Sequence, residues 1–256
     1  MRSRSSAASG RRGPASVDRP LASLLLTADE AAVLRDLQSP NRSVRRGQEI
    51  ISEGRRCTTV FILTEGIAIR YRILRDGQRQ IINLLLPGDF AGVRSCFFEN
   101  ALYSIKTLTK SVVAPVPVGR LIRLFDTHPR VAAKLFWSFS CETAIYAEHL
   151  VALGRRSALE RVAHFLMELL TRLQLIGLAD ERSFRLPLTQ ETISDALGLS
   201  IPYVNRVLHQ LRDDGLVRIK DQQVVIDNVE ELSALADFEN MYLKPLSIAE
   251  LLAEHE

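Results

Sequence analysis

The chain has 256 residues, of which 46% are hydrophobic and 25% are charged, a composition that suits a globular protein of two domains. No apolar run approaches the ~20 residues of a membrane span, and nothing supports an enzyme, because the sequence has no nucleophile–base constellation, phosphate loop or metal cluster. The net charge of +3 is the sum of +4 in residues 1–20, +5 in 21–153, zero in 154–228 and −6 in 229–256. Bulk charge therefore does not argue for nucleic-acid binding in the C-terminal half.

The N-terminal 20 residues carry five arginines against one acid, Asp18, and lack the apolar stretch of a secretory signal. This composition fits a disordered extension or an organelle transit peptide, and we favour the extension. The next segment, from Leu21 to Leu37, predicts a short helix, for which Thr27 is the candidate N-cap.

Residues 43–117 predict β-structure, because short β-branched and apolar runs recur there between turn signals. The strongest hairpin signal is Asp76-Gly77, since both residues tolerate the positive φ of a type I′ turn. Many short strands of this kind suggest a small all-β roll or barrel.

A long helix is predicted from about Pro129, and Gly154 after it suits a hinge or a helix C-cap. From Ala132 onward the apolar positions follow an a/d heptad pattern with one polar member. The predicted seam comprises Phe136, Phe139, Thr143, Tyr146, Leu150 and Leu153. Periodicity alone fits a parallel coiled-coil dimer helix and an amphipathic helix packed on its own domain equally well. A second helix is predicted from Ser157 to about Leu175.

Residues 190–209 match the helix-turn-helix pattern at all seven diagnostic positions. The apolar positions that join the two helices are Ile193, Leu197, Leu199, Val204 and Val207. Ser194 is the small residue that close helix approach requires, and Gly198 forms the corner, where a positive φ costs glycine nothing. Thr189 and Ser200 are predicted to cap the two helices.

The second helix of this motif, from Ser200 to about Asp214, has one face free to enter a DNA major groove. On that face Arg206 can donate two hydrogen bonds to guanine, and Asn205 can pair with adenine. A hairpin around Asp221-Gln222 follows as a wing. The predicted DNA-binding residues are Gln190, Ser200, Ile201, Pro202, Tyr203, Asn205, Arg206, His209, Arg218 and Lys220. For the last two, on the wing, a solvated strand edge is an equally good explanation.

In these motifs the chain resembles the cyclic-AMP receptor / fumarate-nitrate regulator (Crp/Fnr) family of bacterial transcription factors, over about residues 30–228. The resemblance is carried by Leu188-Thr189-Gln190, Ala196-Leu197-Gly198-Leu199-Ser200, Val204-Asn205-Arg206, the bridge from Ser157 to Leu166, and the glycines Gly47, Gly54, Gly66, Gly77, Gly88 and Gly92. It implies an α+β protein with an N-terminal β-roll sensor (cupin-like, of the cyclic-nucleotide-binding-domain type), a long dimerisation helix and a C-terminal winged helix-turn-helix. It also favours the homodimer for the heptad seam, and action in the cytoplasm through RNA polymerase.

On this basis we expect five segments. They are a disordered basic extension over 1–20, the β-roll sensor over 21–128, the dimerisation helix over 129–154, the winged helix-turn-helix domain over 155–228 and an acidic helical extension over 229–256. The last segment could pack on the dimer, recruit a partner, shield the DNA face or form an ordinary terminal helix.

The predicted sensor pocket departs from the family members that bind cyclic nucleotides. Those members have a glutamate after the glycine that matches Gly92, and an Arg-Ser/Thr pair for the phosphate. This chain has Val93 and Tyr103-Ser104 there, and bulky Tyr146 at the position that reaches the adenine. A buried phosphate without its arginine lacks a charge partner, so we predict that cyclic AMP and cyclic GMP do not bind.

The three cysteines, Cys57, Cys96 and Cys141, are too few for a four-cysteine iron–sulfur cluster within one chain, and neither a cofactor nor a metal is predicted. Oxidant sensing is one role for these thiols, but we favour buried structural thiols.

The leading hypothesis is a homodimeric regulator that binds a palindromic double-stranded DNA site. The half-site should differ from that of the cyclic-AMP receptor, because Ile201-Pro202 stands where many members have Arg-Glu. The alternative is a ligand-binding module that acts on a protein partner and carries a degenerate helix-turn-helix. The signal, the operator and the choice between activation and repression stay open.

Overall fold

The computed structural model describes residues 27–187 and 189–243. The predicted basic extension over 1–20, the first part of the Leu21–Leu37 helix, Leu188 and residues 244–256 lie outside them. Helix α1 spans Ala28–Leu37. Thr27 is its N-cap, as predicted: Glu30 N donates to Thr27 Oγ1 at 3.3 Å, and Thr27 N donates to Glu30 Oε2 at 2.8 Å. These reciprocal bonds form a capping box.

The structure confirms the predicted β-roll, which consists of two antiparallel four-stranded sheets. Their strands are β1 (Arg42–Val44), β2 (Glu49–Ile51), β3 (Thr59–Glu65), β4 (Ala68–Ile73), β5 (Arg79–Leu85), β6 (Phe90–Ala91), β7 (Ser104–Thr107) and β8 (Ser111–Pro117). One sheet has the order β1-β8-β3-β6 and the other β2-β7-β4-β5. Leu63, Ile105 and Val113 are at most 1% exposed and pack in one cluster inside the roll, because alternate side chains of each strand point inward. Val60 and Ile69 are also fully buried, but they pack in the clusters that contain helix residues.

The β4–β5 hairpin corrects the predicted type I′ turn at Asp76-Gly77. Gly77 has a φ of 84°, whereas Asp76 is not in the positive-φ region. Gly77 N donates to Leu74 O at 2.9 Å, and Leu74 N donates to Gln78 O at 2.8 Å. The loop therefore has one more residue than predicted, and only its last position requires the left-handed backbone that glycine adopts freely.

The next helices are α2 (Val93–Cys96), α3 (Val118–Thr127) and α4 (Pro129–Arg155). The predicted hinge or C-cap at Gly154 is wrong, because Gly154 lies inside α4 and the C-cap is Arg156. The break falls at Ser157, whose side chain and Glu160 form a capping box for the following helix. The capping box therefore determines where α4 ends and α5 begins, because one glycine inside a helix destabilises it by only about 1 kcal/mol and does not end it.

The C-terminal domain is a winged helix-turn-helix, as predicted. Its elements are α5 (Ala158–Leu175), β9 (Ser183–Arg185), α6 (Gln190–Leu197), α7 (Ile201–Asp213), β10 (Val217–Lys220), β11 (Gln223–Ile226) and α8 (Val229–Ala236). The strands pair in the order β10-β11-β9. Helix α8 packs against α5 and buries Leu232 and Ala236 completely. The part of the acidic extension that the structure describes thus packs on its own chain.

A buried ion network joins α5 to the β-roll. Arg172 is 1% exposed and donates to Asn83 Oδ1 at 3.1 Å and to the Leu84 carbonyl at 2.9 Å. The same guanidinium lies 3.0 Å from Asp89 Oδ2 and 3.2 Å from Glu168 Oε1. Because one side chain contacts both domains, the network fixes the C-terminal domain against the sensor.

A second contact between the domains lies at the end of the β4–β5 hairpin. Arg79 Nε donates to Asp195 Oδ2 of α6 at 2.6 Å, and its Nη2 lies 3.1 Å from Glu191 Oε1. Gln80 Nε2 donates to the Ala196 carbonyl at 3.2 Å. The first helix of the helix-turn-helix therefore rests on β5.

The Arg79–Asp195 contact is expected to stabilise the fold by about 1 kcal/mol in a double-mutant cycle of Arg79→Ala and Asp195→Ala. Both side chains are at most 20% exposed, so solvent screens the pair less than a surface pair. Denaturant unfolding of the four proteins measures the coupling. The matched control is the Arg72–Glu53 pair at 2.8 Å, which is 56% and 32% exposed and should show almost none. Equal coupling in both cycles would contradict the interpretation.

Candidate nucleic-acid interface and sensor site

The joint between α6 and α7 has the structure that the sequence pattern predicts. Ile193, Val204 and Val207 are at most 4% exposed and pack together. Gly198 takes a left-handed φ of 61° at the corner, and the Ser194 hydroxyl donates to the Leu199 carbonyl across it. The angle between the helices is thus held by buried apolar contacts and by one polar contact.

The N-caps of these two helices differ. Thr192 N donates to Thr189 Oγ1 at 3.0 Å, so the predicted cap of α6 is confirmed. Ser200 stands at the N-cap of α7 with extended backbone, but its side chain makes no capping hydrogen bond, so that part of the prediction is wrong. Pro202, within the first turn, pre-organises the backbone and lacks an N–H that would need a cap.

One face of α7 is open to solvent. Ile201 is 45% exposed and Tyr203 is 41% exposed, and Pro202, Arg206 and His209 are exposed as well. The Arg206 guanidinium lies 5.2 Å from the Tyr203 ring centroid, within cation–π distance. The Tyr203 ring thus contacts the Arg206 guanidinium, while the N–H donors of that guanidinium stay accessible to solvent.

The two remaining polar groups of this surface contact each other across the motif. Gln190 Nε2, at the start of α6, donates to Asn205 Oδ1 at 3.1 Å. Together with His209 and Ile219, they line an open groove of about 290 Å³ between α7 and the wing. Asn205 is half-buried, and its Oδ1 already accepts from Gln190. To pair with an adenine, Asn205 would have to give up this hydrogen bond for one to the base.

The two strands of the wing are joined by a two-residue turn of type I′ character, in which both Asp221 and Gln222 have positive φ, at 51° and 65°. Lys220 is exposed. Arg218 is also exposed, but it makes a bidentate contact with Asp227, at 2.7 Å and 2.5 Å. Arg218 holds the pKa of Asp227 below its usual value, so this carboxylate stays ionised and competes with any phosphate for the guanidinium.

The predicted sensor-pocket residues lie together beside α2. Gly92 has a φ of 95°, which L side chains rarely adopt, and a Cβ there would also lie 2.5 Å from Ile51 Cδ1 and force that side chain to move. Val93 and Tyr103 are at most 9% exposed, and Ser104 Oγ accepts from Glu53 N at 3.0 Å. These side chains therefore occupy the predicted ligand pocket and contact other residues of the chain there.

Two arginines at this site are not marked by any sequence motif. Arg70 of β4 is 2% exposed, and its guanidinium lies 4.8 Å from the Tyr103 ring and 5.8 Å from the Tyr146 ring. Arg94 of α2 lies 4.6 Å from the same Tyr146 ring. Both contact Glu142 of α4, Arg70 by a short ion pair and Arg94 at 3.7 Å. The prediction that the site lacks an arginine is therefore wrong: the site contains Arg70 and Arg94, and the Glu142 carboxylate contacts both.

The heptad seam is largely exposed in the single chain. Phe136 is 67% exposed, Leu150 is 73% exposed and Leu153 is 38% exposed. Thr143 is also exposed, whereas Phe139 is half-buried and packs edge-on against Phe90 at 5.7 Å. Tyr146 is half-buried too and donates to Glu142 Oε1 at 2.9 Å.

The first heptad position, Ala132, is 1% exposed and belongs to the β-roll core rather than to the seam. Large apolar side chains exposed along one helix face are rare in monomers, so the stripe marks an interaction surface.

Over residues 27–187 and 189–243, no helix has both the length and the apolar character that crossing a bilayer requires. Within the same ranges, no group of three His, Cys, Asp or Glu side chains is arranged to hold a metal ion.

Comparison with known proteins assigns the two halves of the chain separately. Residues 41–128 match the model of the cyclic nucleotide-binding domain. Residues 160–235 match the model of the Crp-like helix-turn-helix domain, which extends the C-terminal domain into α8.

Similar proteins match across most of their own length. The nitrogen fixation regulation protein FixK of Bradyrhizobium diazoefficiens is 32% identical over 210 residues, which cover 81% of this chain and 87% of the relative. The transcriptional activator protein anr of Pseudomonas aeruginosa is 27% identical over 213 residues, which cover 83% and 87%. The solved structure of FixK2 from Bradyrhizobium japonicum superposes with a TM-score of 0.69 at 31% identity and covers 77% of this chain and 96% of that one.

Proposed function

The chain belongs to the Crp/Fnr family of transcription regulators, and on that premise we propose that it acts as a homodimer that recognises a palindromic operator with α7. The observation that carries the proposal is the open face of α7, where the Arg206 guanidinium is solvent-exposed beside Tyr203. Arginine donates two parallel hydrogen bonds to guanine O6 and N7, and this is the commonest specific base contact. Because the target is chromosomal DNA, we place the protein in the cytoplasm.

The dimer would form through the exposed seam of α4. Pairing Phe136, Leu150 and Leu153 with their copies would bury the apolar stripe, and would set two α7 helices about one DNA turn, or ~34 Å, apart. Arg218 and Lys220 on the wing, with Gln190 and Ser200 at the helix starts, would contact phosphates. Arg218 would contribute only after it leaves Asp227. By family resemblance, RNA polymerase is the protein partner at the promoter.

The sensor is proposed not to use a cyclic nucleotide. Support comes from Glu142, whose carboxylate contacts both Arg70 and Arg94 and so occupies the cations that a phosphate would need. Val93 replaces the ribose-binding glutamate, and Tyr103 and Tyr146 fill the space with rings that contact Arg70. Calorimetric titration with cyclic AMP and cyclic GMP tests this, and saturable binding of either nucleotide would overturn it.

Arg206→Ala is expected to lower affinity for the specific operator about 10–100-fold, or about 1–3 kcal/mol, and to relax the preference at one base pair of each half-site. The operator is first selected from random DNA with the wild-type protein, and affinities are then measured by fluorescence anisotropy.

Arg130→Ala is the control for this substitution. Arg130 is an exposed arginine at the start of α4, so its loss removes the same charge far from α7. An equal loss of affinity in both variants, or an unchanged base preference in Arg206→Ala, would contradict the assignment of α7 as the recognition helix.

A further inference from the structure

Two of the three cysteines lie in contact on the outer side of the sensor site. Cys57 is in the loop before β3, and Cys96 is the last residue of α2, 39 positions later. Their sulfur atoms are 3.3 Å apart. Both are half-buried and neither is in a disulfide, whereas Cys141 lies on α4 with no sulfur partner among the described residues.

The geometry is close to that of a disulfide. A disulfide bond is about 2.05 Å long, so the two sulfur atoms need to approach by a little over 1 Å. Cys57 lies in a loop and Cys96 at the end of a one-turn helix, so neither residue is fixed in a ladder of paired strands. A pair in two paired strands would lack this freedom.

The environment favours a reactive sulfur at Cys57. The Cys96 thiol donates to Cys57 Sγ, and this hydrogen bond lowers the pKa of Cys57 to about 7, while the pKa of Cys96 is raised by the same contact. Burial raises the pKa of Cys141 to about 11. At neutral pH the thiolate form is thus more accessible at Cys57 than at Cys141.

Access to Cys57 is open. An exposed groove of about 290 Å³ runs along the loop and is lined by Cys57 together with Arg55, Arg56 and Phe61. Arg55 and Arg56 are exposed, so the groove leaves a path from solvent to Cys57 for a small neutral oxidant.

We propose that Cys57 and Cys96 form a peroxide-reactive dithiol that closes reversibly to an intrachain disulfide. The Cys57 thiolate attacks one oxygen of a hydroperoxide, the O–O bond breaks, and the departing oxygen leaves as water or an alcohol after taking a proton. The resulting Cys57 sulfenic acid is attacked by Cys96 sulfur, the S–O bond breaks, and the second oxygen leaves as water with the Cys96 proton. The two sulfurs lose two electrons in total, and the peroxide gains them.

The disulfide would act on the helix that carries the dimer seam, a consequence that rests on the proposed function. A Cβ on Gly92 would lie only 3.5 Å from Cys57 Sγ, so the dithiol lies directly against the turn that starts α2. Two residues before Cys96, Arg94 donates to Thr143 Oγ1 of α4 at 3.1 Å and lies over Tyr146. Drawing Cys96 towards the loop therefore displaces Arg94 along α4.

The chemistry is tested by titrating the reduced full-length protein with hydrogen peroxide at pH 7. Wild type and Cys141→Ser are expected to lose two thiols together, to lose the mass of two hydrogen atoms and to yield one cross-linked peptide pair containing residues 57 and 96. A reductant should restore both thiols. Cys57→Ser should lose the fast reaction, and Cys96→Ser should stop at the sulfenic acid, which dimedone traps. Oxidation of Cys141 first, or of Cys57 to the sulfinic acid in wild type without a cross-link, would overturn the proposal.

The consequence for α4 is tested by operator affinity before and after peroxide. Wild type and Cys141→Ser are expected to change affinity several-fold on oxidation and to recover with reductant, whereas Cys57→Ser should not change. An oxidised, cross-linked wild type with unchanged affinity would overturn the coupling through Arg94. Absence of operator binding by the reduced protein would instead count against the proposed function, so the two failures are distinct.

Discussion

Replacing Arg172 with methionine is expected to destabilise the protein by about 3–5 kcal/mol, because it removes the central cation of a buried ion network. The substitution keeps the volume of the side chain close to that of arginine but removes every polar contact. Glu168 and Asp89, at most 15% exposed, would then lose their shared cation, and Glu168 would keep only His149, 2.8 Å away. Leaving buried carboxylates short of a cation costs far more than the intact network contributes relative to apolar residues.

The pH dependence of this penalty has a definite sign. Burial alone would raise the pKa of Glu168, but ion pairs with His149 and Arg172 more than offset it and bring the pKa to about 2. The stabilisation from this group is therefore complete above its ordinary value of 4.5 and is lost as the pH falls through about 2. In Arg172→Met the carboxyl takes up a proton more readily, so the difference from wild type should shrink between pH 7 and pH 4.

Urea unfolding at pH 7 and at pH 4 measures both effects. Arg185→Met is the control, because Arg185 lies on β9 and its side chain is exposed. That variant should unfold within about 0.5 kcal/mol of wild type. A loss in Arg172→Met as small as the control's, or one independent of pH, would show that the network does not hold the two domains together.

The elements that depend on residues close together in the chain, such as the helix-turn-helix and the wing turn, could be predicted from the sequence. The helix-turn-helix could be predicted residue by residue, because its apolar joint, its small residue and the left-handed Gly198 all fall within one twenty-residue pattern. The wing turn at Asp221-Gln222 was predictable for the same reason. At Gly154 the local rule failed, because a stronger signal three residues later, the capping box at Ser157, determines where α4 ends.

The parts that the sequence could not reveal are contacts between residues distant in the chain. Arg172 lies on the helix face next to the predicted core positions, yet its burial depends on Asp89, 83 positions earlier. Arg70 and Glu142 are 72 positions apart, so the sensor site had two arginines that no motif marked. The Cys57–Cys96 contact is of the same kind: spacing gave no C-x-x-C motif, and only the fold places the two thiols together.

Leu150→Glu is expected to separate the proposed homodimer and to lower affinity for a full palindromic operator by about 10²–10⁴-fold. Leu150 is 73% exposed on the seam of α4, so the isolated chain should tolerate the change. Across a two-fold axis the substitution would place two like charges in an apolar seam, and this is unfavourable for association. Sedimentation velocity measures the oligomeric state, and anisotropy measures the affinity.

Ile122→Glu is the matched control, because Ile122 is 47% exposed on α3, outside the heptad seam. It should stay dimeric and bind the operator as wild type does. A half-site duplex separates the two roles of the molecule: Leu150→Glu should bind it as well as wild type does, since one α7 remains intact, whereas Arg206→Ala should lose affinity even there. If Leu150→Glu stayed dimeric with unchanged operator affinity, the exposed stripe of α4 would have to contact something other than a second copy of this chain.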